Sequence, residues 1–261
     1  MNIRPQRSLP LIVVLAAFVA IAACSKKEKT DAADKAVPVD AEAPAVVVAM
    51  IDAHGGMPGW RVAKTLSFES DFHMADDSII TPSFVTLDLA KKRAYVEFGP
   101  NGESMAWDGK RAYSMNWAQP YPPGLRAVLD AYMVQLPWLA MDPGVKLSVA
   151  GKDTLWTGPT QYTIVKMSLR SAPGGPYRLY IDPETKRLHA CAFHAAEGEE
   201  IVVFGDPVKA EGMMLPTQYE IYNASHAPLA AVTLEKWSSG RPFDENKMTL
   251  PDSAAVAQPA P

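Results

Sequence analysis

Residues 66–73 read LSFESDFH, with Leu66, Phe68, Ser70 and Phe72 alternating with Ser67, Glu69, Asp71 and His73. One side of this series is mostly large and apolar; the other is polar throughout. Successive strand side chains point to opposite faces, so a period of two marks a strand with one buried and one solvated face. A helix would scatter the same residues around its circumference. The segment therefore predicts an antiparallel sheet that buries a single face.

Comparable stretches follow at Ser83–Ala90, Arg93–Phe98, Ser104–Trp107, Arg111–Trp117, Val145–Ala150, Gln161–Leu169, Arg178–Ile181, Arg187–Ala195, Ile201–Phe204, Leu215–Tyr222 and Ala230–Trp237. Turn signals separate them. Gly99-Pro100-Asn101-Gly102 and Asp108-Gly109 suit tight hairpins, the second pair with positive φ at both central residues. Asp182-Pro183-Glu184-Thr185 suits a type I turn with proline second. Short strands joined in sequence by such turns give a meander. Two stretches read as helix. Ala45–His54 is apolar, starts after Pro44 and ends at Gly55-Gly56, a left-handed glycine cap. Tyr121–Met141 places Leu125, Val128, Leu129, Tyr132 and Leu136 at helical spacing and stops at Pro137, so one helix crosses or covers the sheet. No internal repeat and no second domain boundary is visible.

The 261 residues carry 25 Lys+Arg against 29 Asp+Glu and are 48% hydrophobic, an ordinary composition for one folded domain. Phosphate binding needs a concentrated basic face, and the basic runs are no longer than Lys26-Lys27 and Lys91-Lys92-Arg93, so no nucleic-acid partner is expected. Two cysteines give no disulfide framework.

The N-terminus has the parts of an export signal: Arg4 and Arg7, an apolar stretch from Leu11 to Ala23, and small residues before Cys24. Ile21-Ala22-Ala23-Cys24 resembles the lipobox of bacterial lipoproteins, in which the cysteine thiol receives a diacylglycerol and the leader is cut just before it. Residues 1–23 then form the signal peptide and Cys24 is the site of lipid attachment. Losing Arg4 and Arg7 leaves 23 basic against 29 acidic residues, a mature charge of -6. Two or more acyl chains anchor a protein firmly without spanning the bilayer. By the sorting rule of Gram-negative lipoproteins, Ser25 after the cysteine implies the outer membrane, facing the periplasm. Residues 24–44 hold the lipidated cysteine and a charged, Ala-rich segment without aromatics, which reads as a flexible tether of roughly 25 Å. Residues 252–261 are Ala/Pro-rich and are expected to fray.

Several stretches together resemble the LolA/LolB-like superfamily of periplasmic lipoprotein-binding proteins, and in particular its uncharacterised bacterial lipoprotein relatives. They are His54-Gly55-Gly56 with Trp60 before the first strand, Trp107-Asp108-Gly109-Lys110 in a hairpin, Leu179–Thr185 turning into Arg187-Leu188, and Leu215-Pro216. The likeness covers residues 45–251. It implies a mainly β (α+β) fold, an incomplete antiparallel β-barrel of about eleven strands with helices covering the open side. It also implies an apolar cavity that holds an acyl chain or a lipoprotein. Neither the protruding apolar loop of LolB nor the cavity arginine of LolA is matched to a residue here.

Side chains able to line such a cavity, or equally to fill a core, are Phe68, Phe72, Phe98, Trp107, Met115, Trp117, Tyr132, Leu136, Trp138, Phe193 and Met214. Twelve methionines suit an adaptable interior. Reactive residue types are densest at His189, Cys191 and His194. On a regular strand the first two share a face and His194 points away, so the three do not converge as ligands. A thiol beside an imidazole is a nucleophile pair in principle, but a cysteine in an apolar strand is ordinarily a small core residue. Glu69, Asp71 and His73, near Asp76-Asp77, read as a solvated outer face. His54 either caps a helix end or sits in a pocket mouth; capping has the stronger physical ground, since a cation favours the negative helix terminus. Asn223-Ala224-Ser225 has the form of a glycosylation acceptor, without a use in a bacterial lipoprotein. There is no GxSxG, HExxH, phosphate loop or paired CxxC.

The expectation is therefore a monomeric, lipid-anchored periplasmic protein that binds an acyl chain, lipoprotein or other amphiphile for transfer or sensing. No catalytic residue, metal or cofactor is expected. The alternative is an interaction lipoprotein with a filled barrel, binding a protein partner and no lipid.

Overall fold

The computed structural model describes residues 42–75, 80–99, 102–119, 121, 123–169, 175–195, 198–248 and 255–257. The leader, Cys24, the tether as far as residue 41 and the Asp76-Asp77 pair lie outside these. Among the described residues no helix is long and apolar enough to cross a membrane.

The described residues begin with two short helices, α1 (Glu42–Ala53) and α2 (Gly56–Val62). In α1, Val47, Met50 and Ile51 are buried at helical spacing, with His54 one turn further on. Five strands follow as a meander: β1 (Thr65–Met74), β2 (Ile80–Asp88), β3 (Arg93–Phe98), β4 (Glu103–Trp107) and β5 (Ala112–Met115). The expected alternation holds in β1, where Leu66, Phe68 and Phe72 enter the main core and Glu69 and Asp71 point away from it. A helical segment comes next, and then β6 (Lys146–Thr154), β7 (Gln161–Ser168), β8 (Tyr177–Ile181), β9 (Leu188–Ala195) and β10 (Gly198–Phe204). The remaining strands are β11 (Pro207–Ala210), β12 (Met213–Pro216), β13 (Gln218–Asn223), β14 (Pro228–Ser239) and β15 (Ala255–Ala257).

Among the described residues, thirteen strands form one sheet in the order β15-β5-β4-β3-β2-β1-β14-β13-β10-β9-β8-β7-β6, and β11-β12 is a separate ribbon. The first and last strands of that order do not pair, so the antiparallel sheet stays open. Every expected strand overlaps an observed one, although Leu215–Tyr222 divides at Thr217 into β12 and β13. Within the segment expected to fray, β15 pairs with β5.

The segment Tyr121–Met141 is not one helix. It comprises α3 (Pro123–Val128), a π-helical turn (Leu129–Met133) and α4 (Leu136–Leu139). Pro137 lies in the first turn of α4, where a missing N–H costs nothing, so it restarts the helix rather than stopping it. This segment, α1 and one sheet face share the main core. A smaller cluster on the opposite sheet face gathers Leu155, Tyr162, Ile164, Tyr180, Ala190, Ala192 and Ile201. The Asp108-Gly109 turn also differs from expectation. Gly109 has φ +97°, but Asp108 does not have positive φ. Its carboxylate instead accepts the N–H groups of Lys110 and Arg111, both at 2.7 Å, in a longer Asx-type loop.

Candidate functional site

The corner between α1 and α2 is built by glycines. Gly55 (φ +97°) ends α1 in the left-handed region. A Cβ there would stand 2.6 Å from the carbonyl oxygen of Gly212, so the corner packs directly on the β11-β12 turn. The carbonyl of His54 accepts the N–H of Met214 at 2.9 Å, tying α1 to β12. The His54 Nδ1–H donates to the Met50 carbonyl at 2.8 Å, so His54 does close the helix end. It does not do so as a cation: burial lowers its pKa below the usual imidazole value, opposed by the Met50 hydrogen bond and assisted by repulsion from Arg187. Trp60 stacks on Trp138 at 4.8 Å, and Trp138 donates its Nε1–H to the Gly56 carbonyl at 3.0 Å.

The turn from β8 to β9 forms a second wall. Asp182 Oδ1 accepts the N–H groups of Glu184 and Thr185 and the Thr185 hydroxyl. Burial alone would raise the Asp182 pKa, but these donors hold it below the ordinary carboxylate value. The turn delivers Arg187 and His189 to the same end of the sheet as His54.

Between these walls lies a cleft of about 390 Å³. Met133, Val134, Pro137 and Trp138 contribute from the helical segment, Leu188 from β9, Phe204 from the end of β10, and Met214 and Pro216 from β12. Asp182, Thr185, Arg187, His189, Asp206 and Gln218 add polar groups. The volume falls in the range of roughly 300–1,000 Å³ found for small-molecule sites. Its lining is divided evenly between apolar and polar surface, which suits a ligand with both an apolar and a polar part.

Of the candidate lining residues, half-buried Met214 borders this cleft together with Trp138, which is itself fully buried in the main core, and Met115 borders a second hollow of about 300 Å³ beside the 3₁₀ turn Glu245–Met248. Phe68, Phe72, Phe98, Trp107, Tyr132, Leu136 and Phe193 are buried in the main core, with Trp117 packed against it. Ring contacts join Phe72 to Tyr121 at 4.4 Å, Phe98 to Trp117 at 5.4 Å and Trp107 to Tyr132 at 6.0 Å.

The core also contains an ion pair that the apolar reading of Tyr121–Met141 passed over. Arg126 and Asp130 are both fully buried, with Nε donating to Oδ2 at 2.5 Å. Arg126 Nη2 donates to the hydroxyls of Ser83 (2.7 Å) and Ser70 (2.9 Å), and the guanidinium lies over Phe72 at 5.3 Å. Arg126 Nη1 and Asp130 Oδ1 have no hydrogen-bond partner among the described residues. An i,i+4 pair of opposite charges inside an apolar run, with serines at inward strand positions, was the available signal.

Residues His189, Cys191 and His194 do not form a catalytic group. A register shift between Tyr180 and Ile181 leaves His189 as the extra residue of a bulge in β9. Its ring stacks on Tyr162 at 4.7 Å in the smaller cluster, whereas Cys191 faces the main core. The expectation of a shared face is thus corrected, because a bulge reverses the alternation. Burial pushes the Cys191 thiol well above its usual pKa, the opposite of an activated nucleophile. Glu69 lies on an exposed face and pairs with Lys236 at 2.7 Å. No group of three metal-ligating residues occurs among the described residues.

No protein-family model matches the sequence, and no curated protein matches it. Solved structures do. A LolA superfamily protein of Nitrosomonas europaea aligns over 80% of this chain and 97% of its own, with a TM-score of 0.53 and 11% identity. A Vibrio parahaemolyticus domain described by outer-membrane lipoprotein sorting aligns over 78% and 95%, with a TM-score of 0.53 and 8% identity. At such identities the likeness concerns the backbone, and it coincides with the open antiparallel sheet and covering helices. This chain therefore has the LolA/LolB-like fold.

Proposed function

We propose that this chain is a lipid-anchored protein of the bacterial envelope, held through Cys24 at the outer membrane on the periplasmic side. It binds an acyl chain or a comparable amphiphile for transfer or sensing and performs no covalent chemistry. The observation that carries the binding half is the cleft of about 390 Å³, with Met133, Val134, Pro137, Trp138 and Met214 inside and charged groups beside them. The fold supports the same reading, since the similar structures include one described by lipoprotein sorting. The anchor rests on the lipobox-like sequence before Cys24 and on the charged segment after it.

The test is native mass spectrometry of the full chain carrying Cys24→Ser, secreted to the periplasm and purified without detergent. A retained lipid or acylated peptide is the expected result, and its mass identifies the class. A bare polypeptide that takes up no fatty acid on titration removes the reading. The filled sheet interior favours a second one, an interaction protein, because among the described residues β6 ends the sheet with pairing only to β7. A partner captured in the envelope together with absence of bound lipid selects it.

A further inference from the structure

Among the described residues, the cleft contains one cationic side chain without a partner. Arg187 lines the cleft and is half-buried; its backbone N–H donates to the Thr185 hydroxyl, but no described residue accepts a hydrogen bond from its guanidinium or forms an ion pair with it. Its two acidic neighbours in the cleft stand differently. Asp182 engages one oxygen, Oδ1, with the turn, where Glu184 and Thr185 supply three donors at 2.7–3.1 Å, and its charge acts on His189. Asp206 is exposed, so water and salt screen it. The field of Arg187 also reaches the interior, where it acts on His54. A guanidinium beside the apolar side chains of a mixed cleft presents a planar fork that matches a carboxylate or phosphate in two parallel hydrogen bonds.

We propose that the cleft selects single-chain anionic amphiphiles. The chain lies against Trp138, Met133 and Met214, and a carboxylate or phosphate headgroup sits on Arg187. This inference rests on the acyl-binding reading and adds the headgroup to it. One chain is proposed because the volume is near the lower end of the range of roughly 300–1,000 Å³ for small-molecule sites.

Binding to the full chain carrying Cys24→Ser is measured by displacement of a fluorescent fatty-acid analogue. The competitors are palmitate, palmitoyl lysophosphatidate, palmityl alcohol and palmityl trimethylammonium. The two anions are expected to bind on the order of tenfold more tightly than the alcohol, the effect of one charged hydrogen-bonded contact. Arg187→Gln should abolish that preference and leave the alcohol unchanged, which also reports that the cleft is intact. Asp206→Asn should strengthen anion binding, because it removes a like charge from the cleft. Preference for only one anion identifies the headgroup as carboxylate or phosphate. Equal affinity for anion and alcohol, or anion preference surviving Arg187→Gln, overturns the headgroup inference while acyl binding stands. Preference for the trimethylammonium ligand, lost in Asp206→Asn, overturns it too. Binding of none of the four removes both readings.

Discussion

Arg126 and Asp130 present the sharpest energetic problem at the scale of single residues, because both charges are fully buried and each leaves an atom without a partner among the described residues. Desolvation opposes both ionised groups and pushes the Asp130 carboxyl up in pKa. Removing one member of a buried pair strands the other, at a cost of about 3–5 kcal/mol, whereas replacing both with apolar residues is often close to neutral. Arg126→Met and Asp130→Leu should each cost about that much in chemical denaturation, and the double variant should recover at least the equivalent of one single loss. Additive losses would mean that the charges act separately. His54 offers a pH-dependent test. Its folded pKa lies below the unfolded value of 6.5, so the unfolded chain binds the extra proton and His54 subtracts stability as pH falls through that value. The slope from one such group is at most about 1.4 kcal/mol per pH unit. His54→Gln retains an amide donor toward Met50 and removes the titration, so its Tm should decline less than wild type from pH 8 to pH 5. Parallel curves refute the assignment.

Elements in this fold are joined by close approaches as much as by apolar area, and the α1-α2 corner shows this. Gly55 and Gly151 both have strongly positive φ, +97° and +107°. An added Cβ at Gly151 meets nothing within 4 Å, whereas at Gly55 it meets backbone at 2.6 Å. Gly151→Ala should therefore cost only the left-handed strain of about 1–2 kcal/mol. Gly55→Ala should cost more, because α1-α2 must also lift from the β11-β12 turn. Denaturant midpoints for the two variants read the difference, and equal losses would show that the corner yields freely. The same scale explains what the sequence could reveal. The alternation of Leu66, Phe68 and Phe72 is local, so β1 and most other strands were readable. The bulge at His189 depends on the partner strand and was not. Arg126 and Asp130 were obscured by the apolar residues around them, and Pro137 was read as a stop because its place in a turn depends on where the helix restarts.

For the whole molecule, the open sheet, the covering helices and the cleft are distinct achievements of the chain. The core closes over aromatic side chains such as Phe68 and Trp107, so space for a ligand remains at the sheet end, where α1, the helical segment, the β8-β9 turn and β12 meet. That convergence involves residues as far apart as His54 and Gln218, so the cleft was not legible in sequence, although Trp138 and Met214 were candidates. A ligand that binds only the folded chain stabilises it by mass action, by about 2.7 kcal/mol at a free concentration one hundred times its Kd. For a domain of this size that corresponds to roughly 5–10 °C in Tm. Palmitate at such a concentration should produce this shift in the chain carrying Cys24→Ser. Met214→Trp fills the cleft from a half-buried position, leaving the core untouched, and should keep the ligand-free Tm while abolishing the shift. A shift that persists in Met214→Trp places the acyl chain elsewhere, and the covering helical segment would then have to part from the sheet to admit it.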